Sequence, residues 1–252
     1  MSEIALDSGL LLVGHGTREP AGLEGFWSTV AEFQRLRPGV VIEGCFLEFS
    51  RPTIAEGIAR LLAAGAKRIA VAPLMLFAAR HVRKDVPAAV AAALPAEQGV
   101  PVRYLSHLGL APPVIELARE RLADAASGAA IQSEETLLLA VGRGSRDREA
   151  TAEMFQLAER VAEGRGVAVE ICFLAMAQPS LEEGLRRAAS SPVHRVMVLP
   201  HLLFPGVLFN RVAARVEEAR RSHREKQWLL AQPLGADRQL AVALRAAWLG
   251  GW

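Results

Sequence analysis

The stretch LLLVGHGTREP, from Leu10 to Pro20, returns later in the chain as LLAVGRGSRDR, from Leu138 to Arg148. In both copies an apolar run ends in a glycine-flanked turn, which is typical of a buried strand that leads into a helix. His15 and Arg143 occupy the same place between the two glycines, at an offset of 128 residues. The repetition indicates that one structural unit occurs twice in this chain.

Three further blocks return in the same order at nearly the same offset. In first and second copy they begin at Cys45 and Cys172, at Arg68 and Arg195, and at His107 and Pro233. The offset is 127 residues for the first two blocks and 126 for the last. We therefore predict two homologous domains, 1–130 and 131–252, joined by the Ser/Gly/Ala-rich stretch 127–134.

Strand and helix signals alternate within each half. Continuous apolar runs such as Leu10–Val13 and Ile69–Ala72 predict buried parallel strands. Capping boxes begin a helix at the same place in both halves, and an amphipathic helix follows the first strand. The boxes are Thr53 with Glu56 and Ser180 with Glu183, and the predicted helix face comprises Leu23, Phe26, Trp27, Val30 and Phe33. The pattern predicts an α/β fold of two Rossmann-like lobes, each a parallel sheet flanked by helices, with a cleft between them.

Composition narrows the class of protein. The chain has 252 residues, 51% of them apolar and 22% charged, as in an ordinary globular protein. A net charge of +2 calls for neither nucleic acid nor membrane as partner. Cys45 and Cys172 lack zinc-type spacing, so we expect buried reduced thiols. The first residues lack a basic segment followed by an apolar one, and we expect no signal peptide and a cytoplasmic location.

Three ionisable residues of the first half are replaced in the second. His15, Glu48 and His81 stand where the duplicate has Arg143, Ala175 and Leu208. Taken singly, they could be a helix cap, one side of a buried ion pair and a solvated loop residue. Together they follow predicted strand ends of one half, where ligands bind in such sheets. Neutral imidazole and carboxylate bind first-row divalent metals, so we predict a metal site. His201, beside a strand end, is a weaker candidate for lining the cleft.

Basic residues accumulate around the same strand ends. Arginine forks onto carboxylate oxygens, so a cluster of arginines favours a substrate that carries several carboxylates. The candidate substrate-binding residues are Arg18, Arg51, Arg80, Arg83, Arg143 and Arg146, with Lys84 and Arg211 nearby.

The combined motifs resemble the sirohydrochlorin cobaltochelatases in their long, internally duplicated form. The resemblance rests on VGHGTREP, on Phe46–Glu48, on PLMLFAARHVRKDVP, and on VGRGSRDREA and VLPHLLFPGVLFNRV in the second half. It implies two lobes with the macrocycle between them, His15 and His81 as metal-binding and catalytic residues, and Glu48 as a nearby acidic residue that takes part in catalysis. It implies insertion of a divalent metal, first of all Co2+, into sirohydrochlorin on the way to cobalamin.

Alternatives stay open at this point. Related proteins insert ferrous iron or nickel, and a metal- or tetrapyrrole-binding carrier without turnover would need the same residues. No histidine-rich stretch, cysteine cluster or nucleotide motif is present, so we expect no cofactor beyond the substrate metal. Because both lobes lie in one chain, we expect a monomer.

Overall fold

The computed structural model describes residues 7–94, 99–127 and 135–249. These residues form two compact units. One unit comprises Met1–Pro113 with Ala236–Trp252, and the other comprises Val114–Gly235. In the described part of the chain no helix has the length and apolar character that a membrane span requires.

The first repeat builds a four-stranded parallel sheet in the order β2-β1-β3-β4. Its elements are β1 (Ser8–Gly14), α1 (Pro20–Leu36), β2 (Val41–Phe46), α2 (Ile54–Ala63), β3 (Arg68–Pro73), a π-helical turn (His81–Asp85) that continues into α3 (Val86–Ala93), β4 (Val102–Tyr104) and α4 (Pro112–Ala125). The central strand β1 is buried along its whole length, as its continuous apolar sequence predicts.

The second repeat builds the same sheet, in the order β6-β5-β7-β8. Its elements are β5 (Thr136–Gly142), α5 (Arg148–Ala162), β6 (Ala168–Phe173), α6 (Leu181–Ser190), β7 (Arg195–Pro200), α7 (Val207–Ser222), β8 (Gln227–Leu230) and α8 (Arg238–Leu249). The registers agree: Gly14 pairs with Phe46 in one sheet, and Gly142 with Phe173 in the other. The predicted α/β class with two parallel sheets is confirmed.

The edge strands β4 and β8 were not predicted. β4 has only three residues, and both Arg103 and Tyr104 are at least partly exposed. A short edge strand needs no continuous apolar run, because one of its sides faces solvent. Pairing with β3 and β7 defines these strands, and that pairing is a tertiary contact.

The last helix of each repeat belongs to the unit of the other repeat. In the second unit, the Arg121 guanidinium of α4 donates to Leu234 O at 2.8 Å. In the first unit, Arg103 donates to Ala247 O of α8 at 2.7 Å, and α8 packs on α1. The units therefore differ from the predicted division at residue 130, because α4 and α8 bury their apolar faces away from their own repeats. Residues 128–134 of the predicted linker lie outside the described residues.

The helix starts and the core follow the sequence closely, with one correction. Thr53 and Glu56 form the predicted capping box, and Ser180 accepts a hydrogen bond from the Glu183 amide. Trp27, expected on the buried face of α1, is 39% exposed. Its ring packs edge-on against Phe26 and covers Gly44, so only one side of the indole is buried.

The two cysteines are free and buried, as predicted. Burial raises the pKa of the Cys172 thiol to about 12 and also raises the pKa of Cys45 far above its ordinary value. Both thiols therefore remain protonated, and a thiol is a much weaker metal ligand than a thiolate.

Candidate metal site

The three predicted ligands meet at the carboxyl edge of the first sheet. His15 directly follows the last residue of β1, and Glu48 comes two residues after β2. His81 opens the π-helical turn after β3. Because β1, β2 and β3 are parallel neighbours, their carboxyl ends lie side by side, and residues that follow them converge.

A close backbone contact joins the first two loops. The Glu48 amide donates to His15 O at 3.1 Å, and Gly16 has a φ of +96°. A Cβ at Gly16 would lie 1.7 Å from Glu48 O, so only glycine fits there. The second repeat has the same contact, since a Cβ at Gly144 would lie 1.7 Å from Ala175 O. The glycine after His15 is therefore required by the fold in both repeats, whereas the residue before it differs between them.

The side-chain geometry suits a metal ion. His15 Nε2 lies 3.1 Å from Glu48 Oε1, and the His15 and His81 rings meet edge to face with centroids 4.8 Å apart. One ligand atom from each of His15, Glu48 and His81 lies within 4.8 Å of the other two. The His15 and Glu48 side chains are 27% and 40% exposed, so the group lies near the protein surface. Two imidazoles and one carboxylate form a ligand set for a first-row divalent metal.

A tight turn places an exposed aromatic ring beside the ligands. Phe49 has a φ of 63°, and the Ser50 amide donates to Glu48 O at 2.8 Å across it, as in a γ-turn. Its ring centroid lies 6.0 Å from that of His15, and the Arg18 guanidinium carbon lies 5.7 Å from the same centroid. Met176 of the second repeat has a φ of 58° in the same turn, so the turn belongs to the fold and only the aromatic ring is particular to the first repeat. Sequence reasoning missed Phe49, which looked like an ordinary apolar residue.

Asp85 is the second residue that sequence reasoning did not single out. Its Oδ2 lies 2.9 Å from His81 Nδ1, and its Oδ1 lies 3.3 Å from Arg80 Nε. The i,i+4 spacing within RHVRKDV was the available signal, because residues four apart share a helix face.

The candidate arginines have different surroundings. Arg18 lies by Phe49, Arg80 pairs with Asp85, and the Arg51 guanidinium pairs with Glu56 at 2.9 Å and is largely exposed. Arg83 lies in the exposed part of the π-helical turn. Arg143 and Arg146 lie in the second unit, exposed in the loop after β5. Their role toward a substrate stays a prediction.

At the corresponding edge of the second sheet, apolar residues take the places of Glu48 and His81, and Arg143 takes the place of His15. Ala175 replaces Glu48, the γ-turn residue is Met176, and both Val207 and Leu208 are exposed. His201 is only 1% exposed, so the expectation that it lines the cleft is wrong. Its amide continues β7 by donating to Val141 O, and its side chain lies in the interior because the strand end is buried there.

The π-helical turn accounts for the second change of offset between the repeats, from 127 to 126. Before the turn, Met75 and Leu202 occupy equivalent positions, 127 residues apart. The carbonyl of Met75 accepts a hydrogen bond from the Leu108 amide, and the carbonyl of Leu202 accepts one from the equivalent Leu234 amide. After the turn, the buried helix positions Val86 and Val212 are 126 residues apart. The first repeat thus holds one extra residue between them, and a π-helical turn is how a helix absorbs one. With the offset of 127 that holds before the turn, His81 corresponds to Leu208, and with the offset of 126 that holds after it, His81 corresponds to Val207; both are apolar.

Known proteins share this architecture over the whole chain. The profile of the family described as CbiX matches residues 9–125 and again residues 137–248. The chain is 32% identical to the sirohydrochlorin ferrochelatase of Priestia megaterium over 96% of its length and 90% of that protein. It is 30% identical to the sirohydrochlorin cobaltochelatase of the same organism, over 94% of its length and 77% of that protein.

A solved structure agrees with the sequence relatives. SirB from Bacillus subtilis with Fe3+ superposes with a TM-score of 0.87 at 25% identity, covering 96% of this chain and 94% of SirB. The duplicated parallel sheets and the ligand set of one repeat place this protein in the class of two-repeat α/β proteins with the chelatase fold. The chain belongs to the CbiX family.

Proposed function

We propose that this protein is a metal chelatase that inserts a divalent metal ion, Co2+ in the first place, into sirohydrochlorin. The observation that carries the proposal is the convergence of His15, Glu48 and His81, with ligand atoms within 4.8 Å of one another. The relatives named as sirohydrochlorin cobaltochelatase and ferrochelatase support this substrate.

The chemistry needs a ligand set and a base at the same place. When a dication enters the macrocycle, two pyrrole N–H protons must leave. Neutral imidazole can bind the ion or accept a proton near neutral pH, and the site offers two imidazoles 4.8 Å apart. Glu48 at 3.1 Å from His15 Nε2 can accept a hydrogen bond from a protonated His15 and stabilise its charge. We assign His15 and His81 to metal binding and catalysis, and Glu48 to proton transfer.

The surroundings suit a flat, anionic substrate. The exposed Phe49 ring beside His15 offers an apolar face on which a macrocycle can stack. Arg18, Arg80 and Arg83 border the same edge and can hold peripheral carboxylates. We extend this substrate-binding role to Arg51, Arg143 and Arg146.

The identity of the metal calls for a direct comparison. Histidine and carboxylate ligands suit Co2+, Fe2+ and Ni2+ alike, and the two Priestia relatives carry names that differ in the metal. Initial rates with sirohydrochlorin and each ion, iron under anaerobic conditions, rank the three by kcat/KM. We expect Co2+ to rank first; a higher kcat/KM with Fe2+ would make the protein a ferrochelatase.

Turnover separates an enzyme from a carrier. Sirohydrochlorin and excess Co2+ are mixed with the protein at about one hundredth of the substrate concentration, and the absorbance change is followed. A chelatase converts all the substrate faster than the uncatalysed reaction. A carrier would change the absorbance of no more than about one equivalent of sirohydrochlorin per protein molecule, and this outcome would contradict the proposal.

A further inference from the structure

A carboxylate lies behind the His81 ring. Asp85 Oδ2 lies 2.9 Å from His81 Nδ1, and the Asp85 side chain is only 29% exposed. Arg80, one residue before the π-helical turn, lies 3.3 Å from the other oxygen of the same carboxylate. The three side chains thus form a chain of contacts that leads from the protein surface to His81.

The contact selects one tautomer of the imidazole. An ionised carboxylate can only accept hydrogen bonds, so His81 Nδ1 must carry the proton that it donates to Asp85. The lone pair of the neutral ring then lies on Nε2, the nitrogen left for a metal ion. A carboxylate in this position also fixes the orientation of the ring and makes it a better electron donor.

The backbone between the two residues favours the contact. The Val86 amide donates to His81 O, five residues back, so the helix is widened by one residue between His81 and Asp85. At the corresponding place the second repeat has neither the widened turn nor a carboxylate. Asp85 corresponds to Val212 with the offset of 127 that holds before the turn, and to Arg211 with the offset of 126 that holds after it.

We infer that Asp85 is a positioning residue that holds His81 in the Nδ1–H tautomer with Nε2 available to the metal ion. Arg80 keeps the Asp85 carboxylate in place from the other side. The inference rests on the proposed function in one respect, since it takes His81 as a metal ligand. The competing explanation is that Asp85 only forms an exposed-helix ion pair with Arg80, of the kind that contributes little.

The first experiment measures Co2+ binding without sirohydrochlorin, by titration calorimetry and by the visible absorption of the bound ion. Asp85→Ala should bind Co2+ about 10- to 100-fold more weakly than the parent, as is usual when the partner of a metal-binding histidine is removed. Asp85→Asn should lose less, because its amide oxygen can accept the same hydrogen bond. Unchanged Co2+ affinity in Asp85→Ala would overturn the inference.

A matched control separates positioning from stability. Asp237 belongs to the same unit, and its carboxylate accepts from the Gln239 amide at the start of α8. Asp237→Ala removes an aspartate that stabilises the start of α8, and this variant should keep the parent's Co2+ affinity. Equal losses in Asp237→Ala and Asp85→Ala would reduce Asp85 to a structural residue.

A spectroscopic measurement decides the tautomer directly and needs no metal. Long-range nitrogen–proton correlation spectra of the histidine rings distinguish Nδ1–H from Nε2–H. The parent should show Nδ1–H at His81, and Asp85→Ala should shift the ring toward Nε2–H. A parent in the Nε2–H form would overturn the inference. Absence of chelatase turnover with intact Co2+ binding would instead contradict the proposed function alone.

Discussion

Each repeat has a corner, formed by the loop after its first strand and the loop after its second strand. The two corners have the same backbone conformation but carry side chains of different chemistry. In both, a glycine at positive φ contacts the loop from the neighbouring strand, and a γ-turn follows at Phe49 or Met176. The first corner carries His15 and Glu48, whereas the second carries Arg143 and Ala175. The shared glycines and turns therefore belong to the fold, and we assign His15 and Glu48, which differ between the repeats, to the proposed function.

The two repeats also differ in backbone at one place. The helix after β3 begins with a π-helical turn, whereas α7 after β7 is a regular α-helix. One additional residue thus accompanies His81, the proposed metal-binding histidine. Side-chain exchange alone should not convert one corner into the other, because the second lacks the turn that brings His81 next to Asp85.

The largest effect is expected when the first corner is given the residue of the second. His15→Arg should fold, because Arg143 occupies the same turn, and should lose about 10²- to 10⁴-fold in turnover. Guanidinium stays protonated, so it neither binds a cation nor accepts a proton. Thermal unfolding tests the fold, and the sirohydrochlorin assay tests the activity. Near-parental turnover would contradict the assignment of His15.

The reciprocal change is the control for this prediction. Arg143→His places an imidazole where Ala175 and Leu208 provide no further ligand. Calorimetric titration with Co2+ should detect one site in the parent and in Arg143→His, and a much weaker one in His15→Arg. Two equal sites in the parent would refute the functional asymmetry between the repeats.

A smaller loss is expected when the additional residue is removed. Deletion of Lys84 should turn the π-helical turn into regular α-helix and rotate His81 by about 100° relative to α3. Co2+ affinity should then fall about 10- to 100-fold, because His81 leaves Asp85 and His15. Lys84→Ala measures the loss of the charge without the change of register. If deletion and substitution bind Co2+ equally well, the extra residue has no part in the site.

The next comparison exchanges a buried residue between the repeats. Burial lowers the pKa of His201 from its ordinary value of 6.5 to about 3. Between these values the unfolded chain binds a proton at this residue and the folded chain does not, so the free energy of unfolding decreases as the pH falls. The loss amounts to about 2 kcal/mol at pH 5 relative to neutral pH.

His201→Leu copies Leu74 from the first repeat and removes this proton. Its free energy of unfolding should therefore depend less on pH between about 6.5 and 5 than that of the parent, as measured by denaturant titration. The slopes are compared, so a constant change in stability from the substitution itself does not matter. Equal slopes would mean that His201 does not contribute to acid unfolding.

The smallest effects are expected for the arginines on either repeat. Arg83→Ala and Arg143→Ala should raise the KM for sirohydrochlorin by about tenfold or less and leave kcat nearly unchanged, if the guanidinium groups bind carboxylates equally in ground and transition states. Steady-state kinetics with varied sirohydrochlorin separates the two constants. A change in KM for Arg83→Ala alone would confine substrate binding to the first repeat.

Much of the fold followed from local signals. The strands β1 and β5 are long apolar runs, and Thr53 with Glu56 begins α2 as the capping box predicts. Local signals were insufficient where packing decided the outcome. The face of Trp27, the short strand β4 and the exchange of α4 and α8 each depend on contacts with residues distant in sequence.

The sequence by itself determined the duplication, the parallel α/β class and the three residues His15, Glu48 and His81, because a repeat shows directly which positions differ. Only the tertiary structure decided that these side chains meet within 4.8 Å, that Phe49 adopts a positive φ and that Asp85 faces His81. Strand order and helix register are properties of packing between distant segments. A pattern in the sequence predicts that residues lie at the same edge of a sheet. The distances between their side chains, and the tautomer of a histidine there, depend on how the strands and helices at that edge pack together.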